Sequence, residues 1–516
     1  MVENRLRTPV VVHTLVTLLL VGVLHAQDEA APAASSPASP PTSPPDGGWT
    51  RRHTIELQGQ QVTYQSVVDH IPLRNDADEP TAELWYTAYF RDAVDGTRDR
   101  QRPLIFAYNG GPGSASFWLH MGVMGPRRVV TSEVGPQGAA PYPIEDNAAC
   151  LLDVADIVMV DPVGTGFSRP VGGAKGSDFW GVDEDAASLA QFVRRFLSRY
   201  QRWNAPRYLL GESYGTTRSA VLAGRLQRDN VDLNGIVLVS SVLDFQTIRF
   251  GEGTIVPFVV NVPSYAITSA YHDALPGGRP QDLGAFMKEV EAWATTDYAT
   301  AILAGSAVDP AQRQRVLEQM HRYTGISKQY LDRTDLRVTA SQYEQEVLRS
   351  RGLVVGRLDA RFTGPSGDLL ADRPSHDPQS TAIKSAYTSA FNAYLRDDLG
   401  YDGDREYVPS GRARPWNWDR GAGGFGGGAL NVAPDLARAI RQNPKLEVLL
   451  VNGIYDLATP YFAAVWTFDN LNLPKDLRDN VQRADFAAGH MMYVEQSLLP
   501  QWRQTLVAFV KRTSGR

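Results

Sequence analysis

Apolar positions in this chain follow two different rhythms, and the switch between them outlines the elements. From 54 to 89 the apolar residues alternate in short pieces, including QQVTYQSVV and AELWYTAYF, as expected of an antiparallel β edge. Continuous apolar runs of strand length follow at 103–108 (PLIFAY), 155–160 (ADIVMV), 207–210 (RYLL), 235–240 (GIVLVS) and 446–451 (LEVLLV). A strand with no polar face is buried on both faces, so these runs predict an α/β fold: a mostly parallel sheet covered by helices on either side. One covering helix can be read residue by residue. Leu189, Phe192, Val193, Phe196, Leu197 and Tyr200 recur at helical spacing, acids at 183–185 fill the first turn, and Arg194, Arg195 and Arg199 lie towards the end, as the helix dipole favours.

Between Phe245 and about Gly428 the strand rhythm is lost. AQRQRVLEQMHRY and STAIKSAYTSAFNAYLRDDL have helical spacing, and a loop with Trp416, Trp418 and the run GAGGFGGG follows them. We expect a largely helical cap insertion, residues 245–428, over the edge where open α/β sheets bind ligands. It would divide the main domain into 49–244 and 429–516. The glycine-rich run is either a lid or a disordered connection.

The run at 207–210 leads into Gly211, Glu212, Ser213, Tyr214 and Gly215, and then into a helical pattern from 216 to 227. Gly-x-Ser-x-Gly between a strand and a helix is the pattern of a nucleophile elbow. Its glycines allow close backbone approach and leave the serine oxygen above the sheet. A serine hydroxyl attacks well only if a histidine takes its proton and an acid fixes that histidine's tautomer. Of the downstream histidines, His272, His321 and His376 fall in the expected insertion, whereas His490 (AAGHMMY) lies past the last apolar strand. Two acids precede His490: Asp456, directly after LLVNGIY at a strand end, and Asp485 in RADF. Strand-end position favours Asp456, since active-site loops of such sheets emerge there. NGGPG (109–113) follows PLIFAY at once and would expose amides to an oxyanion, with the amide of Tyr214 as the second donor. DPVGTGFSRP (161–170) also ends a strand but lacks the lysine of a phosphate loop, so it reads as a structural turn.

Composition narrows the setting. With 43% apolar and 21% charged residues the chain can bury a large core. A net charge of −6 without long charge runs gives no ground for a nucleic-acid partner. Arg5 and Arg7, an apolar run from 10 to 24 and then Ala26 have the order of a secretory signal (1–26), with an uncleaved anchor as the alternative. Residues 27–48 read as a Pro/Ala/Ser-rich linker. The expected product is an exported protein, periplasmic or secreted, with no integral membrane span once the signal is removed. A single cysteine, Cys150, rules out an internal disulfide and reads as a packed thiol. Nothing is spaced like zinc ligands, so neither metal nor cofactor is expected, and the pattern carries no signal for oligomeric state.

Taken together, NGGPGSAS (109–116), the Gly125–Pro126 pair, DPVGTGFS, GESYG, NGIYD and GHM (489–491) stand in the order found in the serine carboxypeptidases, which this sequence resembles over roughly 103–493. The resemblance implies an α/β-hydrolase fold with a cap, a triad of Ser213, Asp456 and His490, and an oxyanion hole of the Gly111 and Tyr214 amides. It further implies removal of C-terminal residues from peptides, the substrate carboxylate being held by Asn109 and a protonated Glu212. Two positions depart from the family. Val123 stands where a second glutamate often shares the proton of the first, and Ser114 stands where eukaryotic members carry a disulfide cysteine, so the sequence looks like a bacterial, exported branch. Val123 leaves an esterase or acyltransferase with the same triad as an alternative, and a non-catalytic binding protein on this fold as a second one.

Overall fold

The structure, a computed structural model, describes residues 48–92, 98–131, 133–420 and 428–515. The signal segment, the linker up to residue 47 and most of the glycine-rich run lie outside the described residues. Residues 49–91 form the antiparallel edge read from the alternation: β1 (Trp49–Leu57), β2 (Gln60–Arg74) and β3 (Pro80–Arg91). Six strands then run parallel to one another: β4 (Leu104–Tyr108), β5 (Asp156–Val160), β6 (Arg207–Glu212), β7 (Gly235–Val239), β8 (Glu447–Gly453) and β9 (Val481–Phe486). Their order across the sheet is β1-β2-β3-β5-β4-β6-β7-β8-β9, with the short strand Arg169–Pro170 also pairing with β3. Every residue of β4, β5 and β7 is buried. This is why their sequences show no polar alternation.

Successive side chains of a strand point to opposite faces, and the core divides accordingly. Leu104, Phe106 and Tyr108 of β4 join the cluster made with α1 (Val182–Arg199), α2 (Tyr214–Arg228) and, later in the chain, the helix Ala433–Gln442. Ile105 and Ala107 join the opposite cluster, which the helix Leu499–Ser514 covers.

The segment 245–428 serves two cores. Its first part, from α3 (Val256–Tyr271) to Ala360, packs around Tyr265, Trp293, Tyr298 and Tyr343 and onto Ile454, Tyr455 and Leu457, the residues that leave β8. It therefore lies at the carboxyl end of that strand, where the sequence places the cap. Its last long helix, α4 (Pro378–Asp397), instead puts Ile383, Tyr387, Phe391 and Tyr394 into the main core with Phe117, Met121 and Tyr89. After it, residues 408–417 lie against the main domain: Ala115 N donates to Pro409 O at 2.9 Å, Gly166 N to Val408 O at 2.8 Å, and Asn417 N to Trp180 O at 2.8 Å.

One buried ion pair ties the two helices under the sheet to the loop after β4. Arg218, fully buried on α2, donates Nε to Asp185 of α1 at 2.6 Å and Nη1 to the Asn109 carbonyl at 2.6 Å. Removing one partner of such a pair leaves the other charge uncompensated. Arg218→Ala is therefore expected to destabilise the protein by about 3–5 kcal/mol in urea unfolding, far more than truncation of an exposed arginine.

Candidate active site

Asn109 and Gly111 follow β4, Glu212 ends β6 with Ser213 and Tyr214 directly after it, and Asp456 and His490 follow β8 and β9, all at the same edge of the sheet. β6 ends at Glu212, and Ser213 makes the turn into α2 with φ 59° and ψ −127°. A non-glycine residue held there costs on the order of 1–3 kcal/mol, which the surrounding backbone must offset. Ser213 N donates to Val239 O at 2.9 Å, pinning the turn to the end of β7. The close approach expected of the elbow is present: a Cβ on Gly211 would fall 2.2 Å from the Gly215 carbonyl oxygen. Gly110, in the facing loop, has the Tyr214 amide nitrogen 2.4 Å from where its Cβ would lie.

Asp456 and His490 meet beside this turn. Asp456 is wholly buried and accepts from Ala458 N (2.8 Å), Thr459 N (3.0 Å), Thr459 Oγ1 (2.7 Å) and His490 Nδ1 (2.7 Å). An ionised carboxylate only accepts, so this bond assigns the proton to Nδ1 and leaves Nε2 free as a base. Burial lowers the pKa of His490, but the Asp456 carboxylate, with Glu212 behind it, outweighs burial and raises it above the ordinary value. Ser240 Oγ donates to the His490 carbonyl at 2.7 Å, and His490 N donates to Leu358 O at 2.6 Å. No hydrogen bond joins Ser213 Oγ to His490 among the described residues; free hydrolases commonly hold this contact long until substrate binds.

Asp485, the other acid, lies on β9, where it accepts from Asn452 Nδ2 (3.0 Å) and pairs with Arg483 (2.7 Å). His272 is bonded to the Ala360 carbonyl and His321 to that of Ile326, both within the insertion, and His376 contacts Ser375 just before α4.

At the loop after β4, neither Gly111 N–H nor Tyr214 N–H has a hydrogen-bond partner among the described residues. Tyr214 opens α2, so its amide also stands at the positive end of the helix dipole. The turn at 161–168 braces this loop: buried Asp161 accepts from Ser116 N at 2.8 Å and from Tyr407 Oη at 3.1 Å. Trp416 and Trp418 pack edge-on against the Tyr214 ring.

Glu212 is buried, and Asn109 Nδ2 donates to its Oε1 at 2.8 Å. Burial is the largest influence on its carboxyl, and the pKa is pushed up to about 7 although His490, Tyr493 and Asn109 pull the other way. No second carboxyl group hydrogen-bonds to Glu212 among the described residues, and Val123, where the family often has a glutamate, is a buried apolar residue. Burial raises the pKa first and the Asp456 carboxylate adds to it, with no acid hydrogen-bonded to Glu212. Tyr493 is a neighbour that sequence reasoning missed. Its ring packs on Gly122, next to Val123, and its hydroxyl lies beside Glu212. Glu212 Oε2 and Tyr493 Oη are both buried without a hydrogen-bond partner of ordinary geometry. A tyrosine three residues past the histidine is the only sequence signal this pair offers.

Cys150 is buried and its thiol is pushed up to about 12 by burial, which fits a packed residue. The described residues hold no cluster of metal-ligating side chains and no helix long and apolar enough to cross a membrane.

A family model described as serine carboxypeptidase matches residues 59–345. Among solved structures, a prohormone-processing carboxypeptidase from Saccharomyces cerevisiae is similar at 16% identity and a TM-score of 0.53, over 87% of this chain and 91% of that one. A proline iminopeptidase from Mycobacterium smegmatis aligns at 14% identity over 87% of this chain and 98% of its own, with a TM-score of 0.36. At such identities the yeast structure supports the fold, and the family match carries the rest.

Gly110 faces the elbow with no room for a side chain. Gly110→Ala would drive a methyl group into the Tyr214 and Gly215 amides. We expect the loop to shift and the reaction with a fluorophosphonate to slow by about 10²–10³-fold, the typical cost of one lost oxyanion donor.

Proposed function

This chain belongs to the serine carboxypeptidase family, and we propose that Ser213, Asp456 and His490 form the triad of this hydrolase and that Asn109 and Glu212 select substrates with a free C-terminus. The observation that carries the reading is the 2.7 Å bond from His490 Nδ1 to buried Asp456, next to a serine held in a strained turn. His490 Nε2 takes the Ser213 proton as Oγ attacks the last peptide carbonyl. The amides of Gly111 and Tyr214 receive the developing oxyanion. His490 then passes its proton to the leaving nitrogen, the C-terminal amino acid departs, and water activated by the same histidine releases the acyl group from Ser213.

A buried carboxyl that keeps its proton near neutrality can donate to another carboxylate, as a charged one cannot. Glu212 fits that role through its raised pKa, and Asn109 supplies a second donor at the same place. Glu212 Oε2 and Tyr493 Oη, side by side and without a well-aligned hydrogen bond, are groups that a bound terminus could satisfy. The N-terminal signal pattern supports export of the protein to a periplasmic or external space.

Two outcomes are expected. A peptide with a free terminus is shortened from its C-terminus, while its amidated twin is cleaved far more slowly, and equal cleavage of both would sink the carboxylate clamp. Release of small esters with no amino acid freed from peptides would favour the esterase alternative. In the pH profile, Glu212 loses its proton above pH of about 7, so KM for the free peptide is expected to rise with pH there, by about tenfold per unit once past the pKa. Glu212→Gln, a donor at every pH, should lack that rise.

A further inference from the structure

A short piece of the insertion touches both loops of the triad. Segment 357–361 (RLDAR) lies between them and bonds to each. Towards the Asp456 loop, Leu457 N donates to Arg357 O at 3.0 Å and Ala360 N donates to Tyr455 O at 3.0 Å. Towards the His490 loop, His490 N donates to Leu358 O at 2.6 Å and Gly489 N donates to Asp359 Oδ2 at 3.0 Å. The fit is so close that a Cβ on Gly489 would fall 2.4 Å from both the Asp359 Cβ and the Leu358 oxygen.

The segment is itself held from two sides. Arg361 grips the Asp359 carboxylate through Nη2 (2.8 Å) and Nε (3.0 Å to Oδ1), and its Nη1 reaches Glu495 Oε2 and the Ala487 carbonyl, each at 2.9 Å. Arg361, Asp359 and Glu495 are all buried, so these charges are fixed by one another rather than by water. At the other end, Asp377, the residue capping α4, accepts from Arg357 N (2.6 Å) and Leu358 N (3.0 Å). α4 is part of the main core, so the segment is anchored to the rigid body of the molecule.

We propose that segment 357–361 is a clamp that sets the distance and orientation of His490 relative to Asp456, with Asp359 and Arg361 as positioning residues. A hydrogen-bonded triad tolerates little displacement, and a misplacement of about 1 Å costs on the order of 10²-fold in rate. Neither residue touches the reacting atoms. Both act through the backbone of residues 487–490. The inference rests on the triad assignment, and the test separates the two.

The experiment compares the full-length wild type with Asp359→Ala and Asp359→Asn, measuring fluorophosphonate labelling, kcat and KM for a small ester, and the downfield proton resonance of the His490 Nδ1–H to Asp456 bond. Asp359→Ala is expected to label at least tenfold more slowly and to lose about tenfold or more in kcat. Its KM should change less than about threefold, with the resonance broadened or lost. Asp359→Asn, which keeps the shape and one acceptor for Gly489 N, should fall between the two. It also carries the test if thermal unfolding shows the alanine variant to be unfolded. A wild type that labels, with folded variants that label at its rate and keep the resonance, would overturn the clamp. A wild type that does not label would overturn the triad assignment and the clamp with it.

Discussion

A carboxylate buried without water must be satisfied by donors, and Asp456 satisfies this constraint with two backbone amides, a threonine hydroxyl and His490. Because it is ionised it can only accept. It therefore dictates which nitrogen of His490 carries a proton and which is left as a base. The sheet delivers both residues to this meeting. β8 and β9 pair in parallel as far as Gly453 and Phe486, and beyond the last pair Ile454 N still donates to Phe486 O and Tyr455 N to Ala488 O. The loops thus leave the sheet already bonded to each other, and segment 357–361 closes the remaining side.

The same strand ends impose a second arrangement. The residue before the serine is forced inward at the end of β6, and there Glu212 is buried against Asn109 and Tyr493. Its carboxyl and the imidazole of His490 influence each other: charge on either favours charge on its neighbour. Their titrations belong to the pair, so base strength at His490 and proton retention at Glu212 are linked properties of one site. Burial, with a smaller push from the Asp456 carboxylate, holds the Glu212 proton near neutrality although an apolar residue, Val123, stands in place of a second acid.

The sequence made most of this architecture readable where burial is two-sided. β4, β5 and β7 show continuous apolar runs because helices cover both of their faces. β9 escaped notice because it is an edge strand: VQRADF is half-exposed and carries Arg483 and Asp485, so no apolar run marks it. α4 was legible as a helix, but a stripe at helical spacing says that one face is covered and not what covers it, and the structure puts it in the main core. Strand-end position favours Asp456 over Asp485; in the structure Asp456 bonds His490, and Asp485 on β9 bonds Asn452 and Arg483. Tyr493 beside Glu212, and Asp359 on the amide of Gly489 some 130 positions away, had no local signature. Contacts made by tertiary closure leave none.

The central claim is that Ser213 carries an acyl group between release of the C-terminal residue and hydrolysis. The most direct measurement is mass spectrometry of enzyme quenched during turnover of a peptide whose last linkage is an ester, so that acylation outpaces deacylation. The account predicts an acyl adduct on Ser213 whose added mass is that of the peptide lacking its last residue, less one water. Turnover with no adduct, or with an adduct on another residue, would contradict it.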